Sequence, residues 1–374
     1  MELETRLKGF HLGGSIYLED EVITARPDEE NWLEQRLIGT MYRKPLVVIG
    51  PRQSGKSTLL KRMTKKIQEE GSACAYVSLE ELRGLPEDEL GKRVWPLVGR
   101  QVVKQIPQLK GVNTRNQYCD WELFSTLGDL TESGKIRNPV IFFDEFSYVA
   151  LHCGNWFGSL RGKYETSALN CKIVLTDRAH PTQYPSHGCS PFNITEVMLL
   201  GDFREENSQD LLEKCANLNG VTLTTEHTHK LHELTKGQTY LTQIAGYRLV
   251  AETLVQNRRS PNSEDVNTVI ESMNQDARAG NMDIYSTLAE YLKSGSQEGI
   301  KLSQGTKEKL RNIVETGRKY PFILNGDTGV LVTLGFVTPE SRTYERGEWR
   351  MTGNVCIRNP LYKLFLRNHT DLLW

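Results

Sequence analysis

Within the nine residues Gly50-Pro51-Arg52-Gln53-Ser54-Gly55-Lys56-Ser57-Thr58, the first eight satisfy the pattern G-x-x-x-x-G-K-[ST]. Glycines at these positions let successive backbone N–H groups turn inward on phosphate oxygens, and a helix beginning near Lys56 adds its N-terminal partial charge at the same point. Lys56 would neutralise β- and γ-phosphates. Ser57 would place its hydroxyl on Mg2+, whose octahedral shell is completed by phosphates and waters. A second candidate, Val140-Ile141-Phe142-Phe143-Asp144-Glu145, is an apolar run ending in two acids, with Asp144 lying 88 residues after Lys56. Asp144 would hold the Mg2+ through water as a Walker B acid, and Glu145 would orient and deprotonate an attacking water. Solubilising a strand end is the blander role for these two acids, and the phosphate loop upstream argues against it. Thr176-Asp177-Arg178 ends a further apolar run, which makes Thr176 a candidate sensor of the γ-phosphate. Arg178 and Arg161 could each stabilise developing charge, although surface salt bridging is the commoner role.

The elements that must position these residues are legible. Residues 45–50 (PLVVIG) form a short β-branched run, followed by the glycine loop and a helical stretch over about 56–70. Residues 74–79, 140–143, 171–176 and 197–200 read as further buried strands. Five strands alternating with helices predict an α/β fold with a parallel sheet covered on both faces, the architecture of a P-loop NTPase. Residues 83–138 are long for one crossover and should hold extra helices. Beyond 200 the pattern turns helical, over 210–218, 225–234 and 240–255 with a break at Gly237, and then from Pro261, placed in a first helical turn, to about Met273. Two more helices should end near Leu292 and Thr316. Residues 329–337 (GVLVTLGFV) and 355–358 then predict a short hairpin and a winged-helix-like module. The expected division is a core over 1–202, a helical lid over 203–282 and the winged-helix-like domain over 283–374.

Composition excludes several classes. With 374 residues, 38% hydrophobic and 25% charged, the chain is neither disordered nor collagen-like. No apolar run approaches the roughly 18 to 20 residues of a membrane helix, and the first residues lack a secretory leader pattern, so a cytoplasmic location without membrane contact is expected. The seven cysteines are widely spaced without a C-x-x-C pair and read as reduced thiols. Net charge is -1, yet residues 285–374 carry 13 basic and 9 acidic side chains. That excess is modest for a nucleic-acid surface. His227, His229 and His232 invite a metal reading, but their spacing is not H-E-x-x-H and a solvated helix fits better. His187 and Cys189 read as loop surface.

Several segments together resemble the AAA-like ATPase domains common in cyanobacterial and other bacterial multidomain signalling proteins, related to the STAND class of P-loop switches. They are Gly13-Gly14-Ser15 leading to Ala25-Arg26-Pro27-Asp28-Glu29, the phosphate loop, the helix ending Ile67-Gln68-Glu69-Glu70-Gly71 before Cys74-Ala75-Tyr76, Phe143-Asp144-Glu145-Phe146, Pro191-Phe192-Asn193-Ile194, Gly237-Gln238-Thr239-Tyr240-Leu241-Thr242-Gln243, Leu334-Gly335-Phe336-Val337 and Arg358-Asn359-Pro360-Leu361-Tyr362. The resemblance implies ATP and Mg2+ as ligands, a segment carrying Ile23 and Arg26 beside the adenine, and lid and winged helix closing over the nucleotide. It also implies a separate effector or sensor protein as partner, and allows a homo-oligomer. Two departures stand out. Thr239 occupies the place of a usual lid proline, and Asp177-Arg178-Ala179 replaces a usual Ala-Thr-Pro, so no family role transfers to Arg178.

The leading expectation is therefore a slow, regulatory ATPase, converting ATP and water to ADP and phosphate, that switches assembly or an effector in bacterial signalling or defence. The alternative is an ATP-dependent DNA-binding protein of the origin-recognition or loader type, using the winged helix. Lys301, Lys307, Lys309 and Arg311 offer only a diluted basic helix for that role. A scaffold that binds nucleotide without turnover has no support, because Lys56 and Glu145 are both present.

Overall fold

Strict alternation along each buried strand decides how this chain layers. The computed structural model describes residues 7–10, 24–38, 44–115, 119–153, 171–178, 195–297, 300–345 and 347–373. Ile23, Arg161, His187, Cys189 and the segments 13–15 and 191–194 lie outside them. Five strands, β1 (Leu46–Ile49), β2 (Cys74–Ser78), β3 (Val140–Asp144), β4 (Lys172–Asp177) and β5 (Glu196–Leu199), pair in parallel in the order β2-β3-β4-β1-β5. One set of alternate residues, among them Leu46, Val48, Phe142, Val174 and Met198, packs with Trp32 and Leu33 of helix α1 (Pro27–Ile38) and Leu59, Leu60 and Met63 of α2 (Lys56–Glu69). The other set, among them Val47, Ala75, Val77, Ile141 and Leu175, joins a larger core with Val94 and Val98 of α3 (Glu87–Gln105) and Leu123 of α4 (Cys119–Glu132). Both faces are thus covered, as a parallel sheet requires.

Helix α3 also closes one margin of the sheet. Gln101 donates from Nε2 to Ser78 O at 2.9 Å and accepts from Ser78 N at 2.9 Å, and Gln105 does the same for Tyr76 O at 2.7 Å and Tyr76 N at 2.9 Å. One helical turn of four residues rises about 6 Å, close to the length of two strand residues, so the two side-chain amides match alternate backbone groups of β2.

A short helix α5 (Ser147–His152) follows β3, and four helices follow β5: α6 (Glu205–Leu218), α7 (Thr225–Thr235), α8 (Thr239–Val255) and α9 (Ser263–Ala279). Asn262 caps α9, accepting from Asp265 N at 3.0 Å while Asp265 accepts from Asn262 N at 2.7 Å. Pro261 therefore precedes the cap instead of entering the first turn, because the reciprocal Asn/Asp bonds start the helix at Ser263, two residues later than the proline suggested. The three histidines are engaged locally. His227 Nδ1 accepts from Thr224 N, His229 Nδ1 lies 2.6 Å from Glu205 Oε1, and His232 Nδ1 lies 2.9 Å from Ser208 Oγ.

The remaining chain forms α10 (Asp283–Ser294), a two-strand turn of β6 (Ser296–Gln297) and β7 (Ile300–Lys301), α11 (Gln304–Thr316), β8 (Tyr320–Pro321), α12 (Asp327–Leu334), a hairpin of β9 (Val337–Glu345) and β10 (Glu348–Ile357), and α13 (Pro360–Asn368). Here the sequence expectation fails in large part, for the first six residues of GVLVTLGFV belong to helix α12, not to a strand. Thr328, Gly329 and residues 331–334 are all buried, so no period distinguishes helix from strand, and Gly335 at φ 88° ends the helix by a left-handed cap. The hairpin, in consequence, starts later and runs longer than expected.

That hairpin lies against the sheet. Tyr344 and Trp349 pack on the α1/α2 core cluster. Arg342 donates from Nη2 to Glu29 Oε1 at 3.0 Å and to Leu199 O at 3.1 Å, while Arg36 of α1 donates to Gly347 O at 3.2 Å and Glu348 Oε1 at 2.9 Å. Among the described residues no helix is long and apolar enough to cross a membrane.

Candidate functional site

β1 delivers the chain into the glycine loop at the carboxyl end of the sheet, where parallel α/β proteins take their ligands. Gly50 N donates to Asp177 O at 3.1 Å, which ties the loop's first residue to the end of β4. A Cβ at Gly50 would stand 3.0 Å from both Leu200 O and Ser54 Oγ, so the close turn tolerates no side chain there without movement. Gln53 at φ 60° and Gly55 at φ 89° take left-handed conformations, and Gly55 then leads directly into α2 without a side-chain cap. The leading N–H groups of α2 consequently have no intrahelical acceptor. Ser54 Oγ and Gln53 Oε1 are buried with no hydrogen-bond partner.

Lys56 is 7% exposed, and its Nζ donates to Gly50 O at 2.8 Å and to Pro51 O at 2.9 Å. Burial lowers its pKa to about 8, against the raising influence of Glu145, Asp144 and Asp177. The next strand ends bring those carboxylates in. Asp144 is buried, and both of its oxygens accept hydroxyl hydrogens: Oδ1 from Thr176 and Oδ2 from Tyr76 at 2.6 Å. Burial, together with Asp144 itself, pushes the Tyr76 phenol well above its ordinary pKa. Glu145 leaves the strand at φ 56°, and its Oε2 sits 3.4 Å from Arg178 Nη2 and 3.5 Å from Arg83 Nη2. Arg178 is buried, not on the surface as its type suggested. Ser147 Oγ donates to Asp177 Oδ1, which also accepts from Arg178 N at 2.5 Å.

The predicted residues 50–58, 144, 145 and 176 thus converge on one end of the sheet. Arg26 is placed beside them but faces the protein. Its Nη2 donates to Ser54 O at 2.9 Å and Thr239 Oγ1 at 3.2 Å, its Nη1 to Gly201 O at 2.9 Å, and its guanidinium carbon lies 4.3 Å from the Phe203 ring centroid. Thr239, standing where the family resemblance expected proline, itself lies 3.4 Å from Ser54 O. Tyr76 stood within the family resemblance without a role, and Arg83, Phe203 and Arg342 were not singled out at all. Tyr76 alone carried a signal, as a polar tip on an otherwise apolar buried strand.

The group set fits a nucleoside triphosphate: an orphaned hydroxyl at Ser54, an uncapped helix N-terminus, a backbone turn closed to any Cβ at Gly50, and one buried ammonium. It also fits Mg2+, since the Ser57 hydroxyl in the first turn of α2 and the Asp144 carboxylate are the hard oxygen donors this ion takes. Among the described residues no cluster of three or more His, Cys, Asp or Glu forms a metal cage.

Comparison with known proteins agrees with this geometry. Residues 42–181 match the family model described as AAA domain. The Walker-type ATPase PABY2304 of Pyrococcus abyssi superposes with a TM-score of 0.60 at 20% identity, covering 96% of this chain and 99% of that one. The ORC2 protein of Aeropyrum pernix, solved in ADPNP and ADP complexes, superposes at 0.51 with 14% identity over 94% of this chain and 95% of that one. No curated protein matches the sequence. The chain has the fold of the P-loop NTPases, and its residues 42–181 match the AAA domain model.

Proposed function

We propose that this protein is a slow, regulatory ATPase that acts as a molecular switch. Residues 1–202 form the ATPase core, 203–282 the lid and 283–374 a winged-helix-like domain. Its ligands are ATP, bound by residues 50–58 with the segment of Ile23 and Arg26 on the adenine side, and Mg2+, held by Ser57 and Asp144. Bound Mg2+ would offset charge on the phosphate oxygens. Lys56 exchanges the carbonyls of Gly50 and Pro51 for phosphate oxygens. Glu145 takes a proton from water as that water's oxygen attacks the γ-phosphorus and the bond to ADP breaks. Thr176, bonded to Asp144, reports the state of that end of the sheet. Release of Glu145 from Arg83 and Arg178 precedes this step, which is why turnover is slow.

The observation that carries the switch is the Arg26 junction. One guanidinium binds the phosphate loop at Ser54 O, the chain leaving β5 at Gly201 O, and the first residue of α8 at Thr239. A change in loop conformation on nucleotide binding therefore moves groups in both neighbouring segments. We further place the protein in the cytoplasm, with a separate effector or sensor as partner and self-assembly as the form of its output, in bacterial signalling or defence. The DNA-loader alternative is less well supported. The helix preceding the hairpin, α12 (DTGVLVTL), contains no Lys or Arg, and Arg342 of the hairpin is committed to Glu29.

Two variants test the reading by fluorescent-nucleotide binding and phosphate release. Lys56→Ala should lose detectable ATP binding. Glu145→Gln should keep binding and lose at least about a hundredfold in hydrolysis; hydrolysis at the wild-type rate would sink the base assignment.

A further inference from the structure

Along β2, Cys74 and Tyr76 point to the same face of the sheet as Phe142, against the cluster that holds α2. Apolar packing at position 76 would be met by Phe, so the phenolic oxygen needs its own reason. It donates to Asp144 Oδ2 at 2.6 Å, while the other carboxylate oxygen accepts from Thr176. Each oxygen of Asp144 keeps a second lone pair. The backbone that carries the phenol is fixed by Gln105 through both its N–H and its C=O. Lys61, one turn into the helix that follows the phosphate loop, sets its ammonium 5.5 Å from the Tyr76 ring centroid, a placement that attracts it to the ring face.

We propose that Tyr76 is a positioning residue for the magnesium-serving carboxylate, its O–H fixing the orientation in which Asp144 meets the metal of a bound nucleotide. The inference rests on the reading of Asp144 given above. Partners that orient a metal-serving group commonly matter about tenfold or more to metal affinity when removed. They matter little to binding measured without the metal. A purely structural Tyr76 would behave differently, since its loss would weaken nucleotide binding with and without metal alike.

The test is binding of N-methylanthraniloyl-ADP to the full chain in EDTA and across a MgCl2 titration, for wild type, Tyr76→Phe, Tyr76→His and Asp144→Asn. Tyr76→Phe should leave affinity in EDTA unchanged and raise the Mg2+ concentration at half-effect about tenfold. Tyr76→His, which restores a ring N–H donor and gives a second variant should Phe fold poorly, should recover part of that loss. Asp144→Asn should abolish the Mg2+ effect. If Asp144→Asn abolishes it while Tyr76→Phe titrates like wild type, or weakens binding equally in EDTA, the role of Tyr76 is overturned. If Asp144→Asn titrates like wild type, the reading of Asp144 falls, and the proposal with it.

Discussion

Lys56 is held between two loop carbonyls in a buried position, and its pKa of about 8 stands well below the ordinary 10.5 because burial disfavours the charge. The sign of the pH effect follows. Below about pH 8 the ammonium is already present when a phosphate arrives, so affinity is flat; above it the free protein carries a neutral amine and binding must take up a proton. We expect the dissociation constant for ADP to weaken toward about tenfold per pH unit from about pH 8 upward, with proton uptake visible by calorimetry in buffers of different ionisation enthalpy. A flat profile to about pH 9.5 would show that Lys56 keeps an ordinary ammonium. The phosphate loop, Asp144 and Glu145 were readable from sequence because each is local, a strand end with its own turn. Tyr76 and Arg83 were not. They reach Asp144 and Glu145 across 68 and 62 residues of chain, and only the pairing of β2 beside β3 brings them there.

Element boundaries were legible where a buried run ends at a turn, as in the five strands and at the start of α2. They were lost in α12, whose residues are buried all round, so that a helix and a strand demand the same amino acids. One backbone approach between the chain leaving β5 and the turn joining α7 to α8 is especially close. Gly237 has φ 73°, its C=O accepts from Phe203 N at 2.9 Å, and a Cβ there would fall 2.0 Å from Phe203 O. Gly237→Ala should therefore destabilise by about 2–4 kcal/mol, through both the left-handed backbone and the clash. Thermal unfolding checks it. A midpoint within error of wild type would mean that α7, α8 and the β5 exit do not approach as closely as described.

Across the whole molecule, the C-terminal elements meet the phosphate loop directly. A Cβ at Gly335 would lie 2.9 Å from Pro51 Cβ and 2.9 Å from Arg358 Nη1. Arg358, in turn, forms a buried two-point pair with Asp202, its Nε donating to Oδ2 at 2.7 Å and its Nη2 to Oδ1, beside the chain leaving β5. Arg358→Ala leaves Asp202 without that cation and should cost about 3–5 kcal/mol in stability. Release of N-methylanthraniloyl-ADP in stopped flow should accelerate in the same variant, since the seat behind Pro51 is loosened. Lost stability with an unchanged release rate would disconnect the hairpin segment from the nucleotide. The family resemblance implied that this end of the chain closes over the nucleotide, but the Arg358–Asp202 pair itself was not legible, because its partners stand 156 residues apart and one chain carries no pairing information. The margin of the sheet closed by Gln101 and Gln105 has a consequence for assembly. Those amides occupy outward hydrogen-bonding positions of β2 at Tyr76 and Ser78, so a strand from another molecule finds a counterfeit neighbour already in place. Copies of this protein that gather into a larger array cannot pair backbones along that border, and a stalled or crowded population is protected there from zipping into fibres.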